Sequence, residues 1–171
     1  YGDYLRSGAI ARFANIMESV QEYAAKGGKV LGICNGFQIL LEAGLLPGAM
    51  KRNDSLHFIS KYHTLKVINN DNRFLSLMKK DQVVNIPVAH HDGNYYIDAA
   101  GLKELEENNQ ILLKYCDKDG NLVNMNGSVL NIAGICNKEK NVFGLMPHPE
   151  RAIEELLGSV DGVNMLKGFL Q

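Results

Sequence analysis

The residue best suited to chemistry in this 171-residue sequence is Cys34, which lies in the pattern Gly32-Ile33-Cys34-Asn35-Gly36. An apolar run precedes the pattern and a helical stretch follows it, which predicts a sharp strand-to-helix turn that exposes the nucleophile. Glycines have no Cβ to collide in such a turn, and the positive end of the helix favours a thiolate. The backbone N–H of Asn35 is placed to stabilise an oxyanion. These features predict a nucleophile, although a lone cysteine is more often a small buried apolar residue.

A second candidate is the segment Pro147-His148-Pro149-Glu150, which directly follows an apolar run. Each proline disfavours helix in the residue before it, so His148 is predicted to be extended. Residues two apart in an extended segment face the same way, so His148 and Glu150 can point into one site. That arrangement suits a base and the carboxylate that orients it. The alternative is an exposed proline-rich loop, and the presence of Cys34 favours the catalytic interpretation.

Several further side chains are candidates to line the same site. Gln38 lies one helical turn beyond Cys34, and with Gly36 it is predicted to contact substrate, with a hydrogen bond from Gln38 to a nearby loop as the alternative. The segment containing His90 and Asp92 is predicted to contact substrate or a partner, with a polar turn as the alternative. A metal site is not predicted, because no matching set of ligands lies nearby.

The remaining histidines and cysteines are predicted to have no role in chemistry. His57 and His63 lie in a charged stretch and are predicted to be exposed. Cys116 and Cys136 fall within apolar runs and are predicted to be buried thiols. Three cysteines at wide spacing indicate neither a disulfide framework nor a CxxC metal site, which favours a reducing cytosol.

The order of elements predicts an α/β fold with a largely parallel sheet, because the first third reads helix, strand, sharp turn, helix. Helices are predicted at residues 9–25, 37–43, 102–107, 154–157 and 163–170, and strands at 29–33, 58–68, 82–89, 94–97, 111–115, 129–135 and 142–146. Pro87 predicts that its strand ends there or lies at an edge. No linker or repeat divides the chain, so a single domain is expected.

Bulk composition excludes several functions. The net charge is −1 and 46% of the residues are hydrophobic, which indicates a sizeable core and no basic surface for nucleic acid or an anionic membrane. Apolar runs are too short for a membrane span. The chain is therefore expected to be cytoplasmic.

Taken together, the motif around Cys34, the glutamine at 38 and the segment Pro147-His148-Pro149-Glu150 resemble the class I (triad) glutamine amidotransferases. Three further stretches, residues 2–9, 126–137 and 146–152, resemble the glutaminase subunits of phosphoribosylformylglycinamidine synthase in purine biosynthesis. The resemblance extends over almost the whole chain.

This resemblance implies helices on both faces of the sheet and a triad of Cys34, His148 and Glu150 that releases ammonia from glutamine. The ammonia would pass to a synthetase subunit, which would use ATP and Mg²⁺, and no cofactor is expected in this chain. A small third subunit assembles with some members. Members also carry an earlier strand, helix and Gly-Gly loop that supplies a second oxyanion donor. Because the sequence starts at Tyr1 inside a predicted loop, it is expected to lack that N-terminal part.

The sequence departs from the family around His90. The family pattern is His-Gly-Glu-Gly, whereas this chain has His90-His91-Asp92-Gly93. A side chain at residue 91 would strain a backbone that needed a positive φ, and Asp92 has a shorter reach than glutamate.

Two other functions compete with the glutaminase. One is another cysteine hydrolase of similar fold, such as a peptidase or a γ-glutamyl hydrolase. The other is a truncated domain that docks on a synthetase without chemistry. Glutamine turnover without peptide cleavage would distinguish the first, and labelling of Cys34 by a glutamine-like electrophile would count against the second.

Overall fold

The computed structural model describes residues 7–171, and the loop predicted for residues 1–4 lies outside them. Its regular elements are five helices and eight strands within that range. The helices are α1 (Ser7–Ala11), α2 (Ile16–Ala25), α3 (Asn35–Glu42), α4 (Ala99–Glu107) and α5 (Gly162–Leu170). The strands are β1 (Val30–Ile33), β2 (Ala49–Lys51), β3 (Ile59–Val67), β4 (Val83–His90), β5 (Asn94–Tyr96), β6 (Ile111–Cys116), β7 (Ile132–Cys136) and β8 (Val142–Leu145).

The main sheet is mixed, with the strand order β1-β8-β7-β6-β3-β4. Only β1 and β8 pair in parallel, and the other four pairings in the described sheet are antiparallel. The prediction of an α/β fold is confirmed, but the prediction of a largely parallel sheet is wrong for these strands. The physical reason lies in the connections: short turns, such as residues 137–141 between β7 and β8, can join only antiparallel neighbours.

Strand β4 lies at the edge of the sheet, as Pro87 predicts. The Pro87 carbonyl accepts a hydrogen bond from the backbone N–H of His148 at 2.8 Å. Since His148 lies only three residues beyond β8, the sheet must curve until the end of β8 meets β4. This curvature brings residues from both ends of the strand order into one site.

Helices cover both faces of this sheet, as the resemblance implies. On one face, Phe37 and Leu40 of α3 and Leu105 of α4 belong to a buried apolar cluster. On the other, Met165 of α5 packs in a second cluster with Phe143 of β8. The alternation of side chains along β8 divides the two cores.

The helix predicted for residues 9–25 is broken in two. The backbone N–H groups of Phe13 and Ala14 bond to carbonyls three residues back, which forms tight turns between α1 and α2. Ile10, Phe13 and Ile16 therefore do not share a buried face, and they are 85%, 74% and 64% exposed. The prediction of one continuous helix is therefore wrong at residues 12–15.

Smaller differences between the predicted and the observed elements occur where turn geometry overrides apolar composition. Residues 129–131 form a 3-10 turn before β7, and Leu130 and Asn131 have positive φ values of 47° and 60°. The helix predicted at residues 154–157 is a short 3-10 turn, Glu155–Leu157. Within residues 7–171, no helix has the length and apolar character needed to cross a membrane.

Candidate active site

The turn at Cys34 has the strained geometry expected of a nucleophile elbow. Cys34 follows β1 directly, precedes α3 and has φ 51° and ψ −107°, a conformation that side-chain-bearing residues rarely adopt. A Cβ at Gly32 would lie 2.7 Å from the backbone of Gly36, so that close approach requires glycine. A Cβ at Gly36 would meet no atom of residues 7–171 within 4 Å outside its own helix. Steric relief therefore explains the glycine at residue 32, whereas no described side chain crowds residue 36.

Backbone hydrogen bonds place Cys34 and His148 at the same end of the curved sheet. The Cys34 N–H donates to the Leu145 carbonyl at 2.8 Å, which continues the parallel pairing of β1 and β8. The Cys34 Sγ lies 3.8 Å from the Ala89 carbonyl on β4. Since the His148 N–H bonds to Pro87, two residues away on that strand, the thiol and the imidazole share one neighbourhood.

His148 and Glu150 form a tight pair in this neighbourhood. The His148 Nδ1 lies 2.6 Å from the Glu150 Oε1, so the ring donates from Nδ1 to the carboxylate. The ring is buried, and its Nε2 makes no hydrogen bond within the described part of the chain. A carboxylate that holds Nδ1–H leaves Nε2 as the basic nitrogen, which is the state required of a general base.

The electrostatics of Glu150 favour its charged form. Partial burial acts to raise the pKa of this carboxyl, but the hydrogen bond and the electrostatic attraction of His148 outweigh burial. Arg151 adds to this effect, with its Nε 3.6 Å from the Glu150 Oε1. The pKa of Glu150 is consequently lowered from its ordinary value, and the carboxylate remains available to His148 at neutral pH.

Gln38 joins the nucleophile helix to the loop that contains Asp92. Its side chain is buried, and its Nε2 donates to the Asp92 carbonyl at 2.8 Å. The Gln38 Oε1 is buried and has no hydrogen-bond partner among residues 7–171. A buried acceptor of this kind is costly unless a ligand or water satisfies it.

The loop at residues 90–93 is organised by Asn53, which the sequence did not single out. The Asn53 side chain donates to the His90 carbonyl at 2.9 Å, and its Oδ1 lies 3.1 Å from the His90 Nδ1. The Gly93 N–H also donates to this Oδ1, at 3.2 Å. Nothing in the polar stretch around residue 53 distinguishes this asparagine, because its role depends on a loop almost 40 residues away.

The two departures from the family pattern occupy the same loop. His91 does not have a positive φ, so a side chain here causes no backbone strain of the kind expected from losing a glycine. Asp92 is buried, and its Oδ1 lies 3.8 Å from the Arg52 Nε and 3.3 Å from the His91 Nδ1. The shorter carboxylate therefore has partners within its own loop and the segment before β3.

Asn126 and Tyr115 lie beneath this loop. The Asn126 Nδ2 donates to the Gly93 carbonyl at 2.7 Å, and its Oδ1 accepts from the Ser128 N–H at 3.1 Å. Tyr115 is fully buried, and burial, followed by the electrostatic influence of Cys34, raises the pKa of its hydroxyl. Asn126 lies close enough to act in the opposite direction on this pKa, but no described residue meets the geometry of a hydrogen bond to the hydroxyl.

The residues predicted to have no role in chemistry mostly behave as expected. His57 is exposed, and Cys116 and Cys136 are buried thiols outside any disulfide. Burial raises the pKa of Cys136 to about 12, which keeps this thiol protonated. His63 is the exception, since its ring packs edge-on against Tyr115 at 5.6 Å, and burial followed by the charge of Lys61 lowers its pKa.

The described side chains offer no metal site. Among residues 7–171, no three His, Cys, Asp or Glu side chains cluster closely enough to hold a metal ion.

The chain is similar over its whole length to proteins of one family. Residues 1–164 match the family of CobB/CobQ-like glutamine amidotransferase domains. The chain is 71% identical to phosphoribosylformylglycinamidine synthase subunit PurQ of Sulfurimonas denitrificans, over 100% of this chain and 76% of the relative. It is 58% identical to the PurQ subunit of Campylobacter jejuni, over 99% of this chain and 74% of the relative.

Solved structures show the same relationship. PurLQS from Thermotoga maritima superposes with a TM-score of 0.86 at 43% identity, covering 99% of this chain and 74% of that one. A glutamine amidotransferase from the same organism has a TM-score of 0.62 at 14% identity, with coverage of 99% and 74%, and shows the fold alone. The chain belongs to the glutamine amidotransferase family, among the PurQ subunits of phosphoribosylformylglycinamidine synthase.

Proposed function

We propose that Cys34, His148 and Glu150 form the triad by which this glutaminase hydrolyses glutamine to glutamate and ammonia. The observation that carries the assignment is the 2.6 Å contact between His148 and Glu150, made at the strand end where the strained Cys34 also lies. Acyl transfer requires a nucleophile, a base and a carboxylate that orients the base.

In the first half of the reaction, the thiol proton of Cys34 passes to the Nε2 of His148, and Glu150 stabilises the resulting imidazolium. The thiolate formed in this way attacks the side-chain amide carbon of glutamine. The oxyanion that forms lies near the N-terminus of α3, where the N–H of Asn35 has no carbonyl partner within the helix. His148 then returns the proton to the departing nitrogen, which leaves ammonia and a γ-glutamyl thioester.

In the second half, water replaces ammonia. His148 removes a proton from the water as it attacks the thioester carbon, and the sulfur leaves as thiolate. Glutamate departs and the thiolate is restored, so the net reaction consumes one glutamine and one water.

The glutamine is proposed to bind beside Gly36 and Gln38. A Cβ at Gly36 would meet none of the described residues outside its own helix, which leaves room for a substrate next to the thiol. The buried Oε1 of Gln38 is an acceptor without a described partner, and it suits the ammonium or amide donors of glutamine. His90 and Asp92 are proposed to shape this pocket or the adjoining partner contact.

The ammonia is proposed to pass to a synthetase subunit, which makes formylglycinamidine ribonucleotide in purine biosynthesis. The relatives are subunits of phosphoribosylformylglycinamidine synthase, and the structural neighbour is PurLQS. ATP and Mg²⁺ are assigned to that partner and no cofactor to this chain. We further propose a cytoplasmic location and, by analogy with the three-protein neighbour, assembly with a small third subunit.

Glutamate release tests this assignment. The natural full-length protein should convert glutamine to glutamate in the presence of its synthetase, and Cys34→Ala should abolish that release. A glutamine analogue with an electrophilic ketone should label the wild type at Cys34. The proposal would be overturned if the wild-type protein released no glutamate even in the presence of its synthetase. Cleavage of peptides instead of glutamine would favour the alternative of another cysteine hydrolase.

A further inference from the structure

The side chain of Asn53 is fully buried, and every hydrogen-bonding position of its amide is in use. The Nδ2 donates to the carbonyls of His57 and His90, both at 2.9 Å. The Oδ1 accepts from the Gly93 N–H at 3.2 Å and lies 3.1 Å from the His90 Nδ1. Because a side-chain amide has two N–H donors and one oxygen with two lone pairs, these contacts fill its capacity.

The same contacts determine which nitrogen of the His90 ring carries a proton. Two carbonyls require the NH₂ group of the Asn53 amide and the Gly93 N–H requires its oxygen, so the amide cannot be turned over. The Nδ1 of His90 therefore faces an oxygen that can only accept. That nitrogen must carry a hydrogen in the neutral form of the ring as well as in the charged form.

Asn53 also holds the neighbouring loop on both sides of Asp92. Its side chain binds the residues at positions 90 and 93, and its backbone N–H donates to the His91 carbonyl at 2.8 Å. The Asp92 carbonyl, which lies between these contacts, accepts from the Gln38 Nε2 at 2.8 Å. This last bond orients the Gln38 amide, whose buried Oε1 has no hydrogen-bond partner in the described part of the chain.

We propose that Asn53 is a positioning residue, which holds the Asp92 carbonyl where it orients Gln38 towards glutamine. The same amide keeps a proton on the Nδ1 of His90. This inference rests on the proposed function and adds to it a residue outside the triad and outside the predicted substrate contacts. Because Asn53 acts on the Gln38 amide, its loss should weaken the binding of glutamine more than it slows the chemical step.

Kinetics of the natural full-length protein with its synthetase subunit test the coupling to glutamine. Asn53→Asp keeps an oxygen towards Gly93 but turns a second oxygen towards two carbonyls, which should displace the loop. KM for glutamine should rise by about 3- to 10-fold, the range of one ordinary hydrogen bond, with kcat within about twofold of the wild type. The control is Ser55→Asp, which adds the same charge at an exposed position of the same loop and should leave KM unchanged.

A double-mutant cycle separates positioning from a general loss of structure. Gln38→Met keeps the length of the side chain but removes its amide, so this change alone should raise KM. In that background Asn53→Asp should change KM by less than about twofold, because the group through which Asn53 acts is absent. An unchanged KM in Gln38→Met, or the full effect of Asn53→Asp in the double variant, would overturn the inference.

A third measurement uses the wild type and does not depend on the folding of a variant. The ring ¹⁵N resonances of His90 should show a proton on Nδ1 at every pH at which the protein is folded. A ring whose Nδ1 carries no proton would overturn the inference while leaving the glutaminase assignment intact. Glutamate release that survives Cys34→Ala would instead overturn the proposed function.

Discussion

At the scale of single residues, Glu150 carries a charge that the proposed mechanism needs. Its carboxylate is 2.6 Å from the His148 Nδ1, and both His148 and Arg151 act to lower its pKa. A lowered folded-state pKa means that the favourable interaction is present at neutral pH and is lost as the pH falls through that value. The acidic limb of the activity profile should therefore include protonation of Glu150.

Glu150→Gln tests the charge without a change of size. The amide cannot stabilise the imidazolium as a carboxylate does, so kcat/KM for glutamine should fall by about 10²- to 10⁴-fold. Glutamate release by the natural complex is the measurement. Glu154→Gln, which changes an exposed glutamate four residues further on, is the matched control and should behave as wild type. A loss of less than about threefold at Glu150 would be incompatible with its orienting role.

For Tyr115 we expect substitution to leave activity almost unchanged, because its hydroxyl is buried without a hydrogen bond to the described residues. An unsatisfied buried polar group costs about 1–3 kcal/mol. Tyr115→Phe removes only that oxygen, so the free energy of unfolding should be unchanged or higher, and glutamate release should stay within about twofold. Chemical denaturation and kinetics measure these two quantities. A large loss of activity in a stable variant would show that the hydroxyl takes part in the chemistry.

At the scale of elements, the elbow depends on how closely α3 approaches β1. A Cβ at Gly32 would lie 2.7 Å from the Gly36 backbone, so Gly32→Ala must displace the start of the helix. We expect it to destabilise the fold by about 1–3 kcal/mol and to reduce glutamate release. Gly36→Ala is the matched control for stability, since its Cβ meets no atom of residues 7–171 outside its own helix. Thermal unfolding that ranked Gly36→Ala below Gly32→Ala would contradict this account.

The elements also show which parts of this molecule are readable from the sequence. The elbow and the extended His148 segment were predictable because both depend on local rules, namely glycine sterics and the effect of proline. The antiparallel pairing was harder to predict from the sequence, since it depends on how strands that are distant in the chain meet. Asn53 gave no signal, because its role arises only when the chain folds and brings it against the loop at residues 90–93.

At the scale of the whole molecule, the chemistry and one of its structural anchors lie at opposite ends of the sheet. Cys34 and His148 follow the ends of β1 and β8, whereas Asn141 lies at the other end, just before β8 begins. The buried Asn141 Nδ2 donates to the carbonyls of Ala24 and Gly28, at 2.9 and 2.8 Å. These bonds join the end of α2 to the turn between β7 and β8, across more than 110 residues of sequence.

Asn141→Ala should therefore reduce stability without altering the chemistry. It leaves two carbonyls with fewer donors, and the expected loss is about 2–4 kcal/mol in the free energy of unfolding, from two or more hydrogen bonds. At temperatures where the variant remains folded, kcat/KM for glutamine should match the wild type, because no contact of the triad changes. Asn164→Ala, an exposed asparagine on α5, is the control for both measurements. A catalytic defect in fully folded Asn141→Ala would mean that the anchor and the active site are coupled through β1 and β8, and that the two ends of the sheet do not act independently.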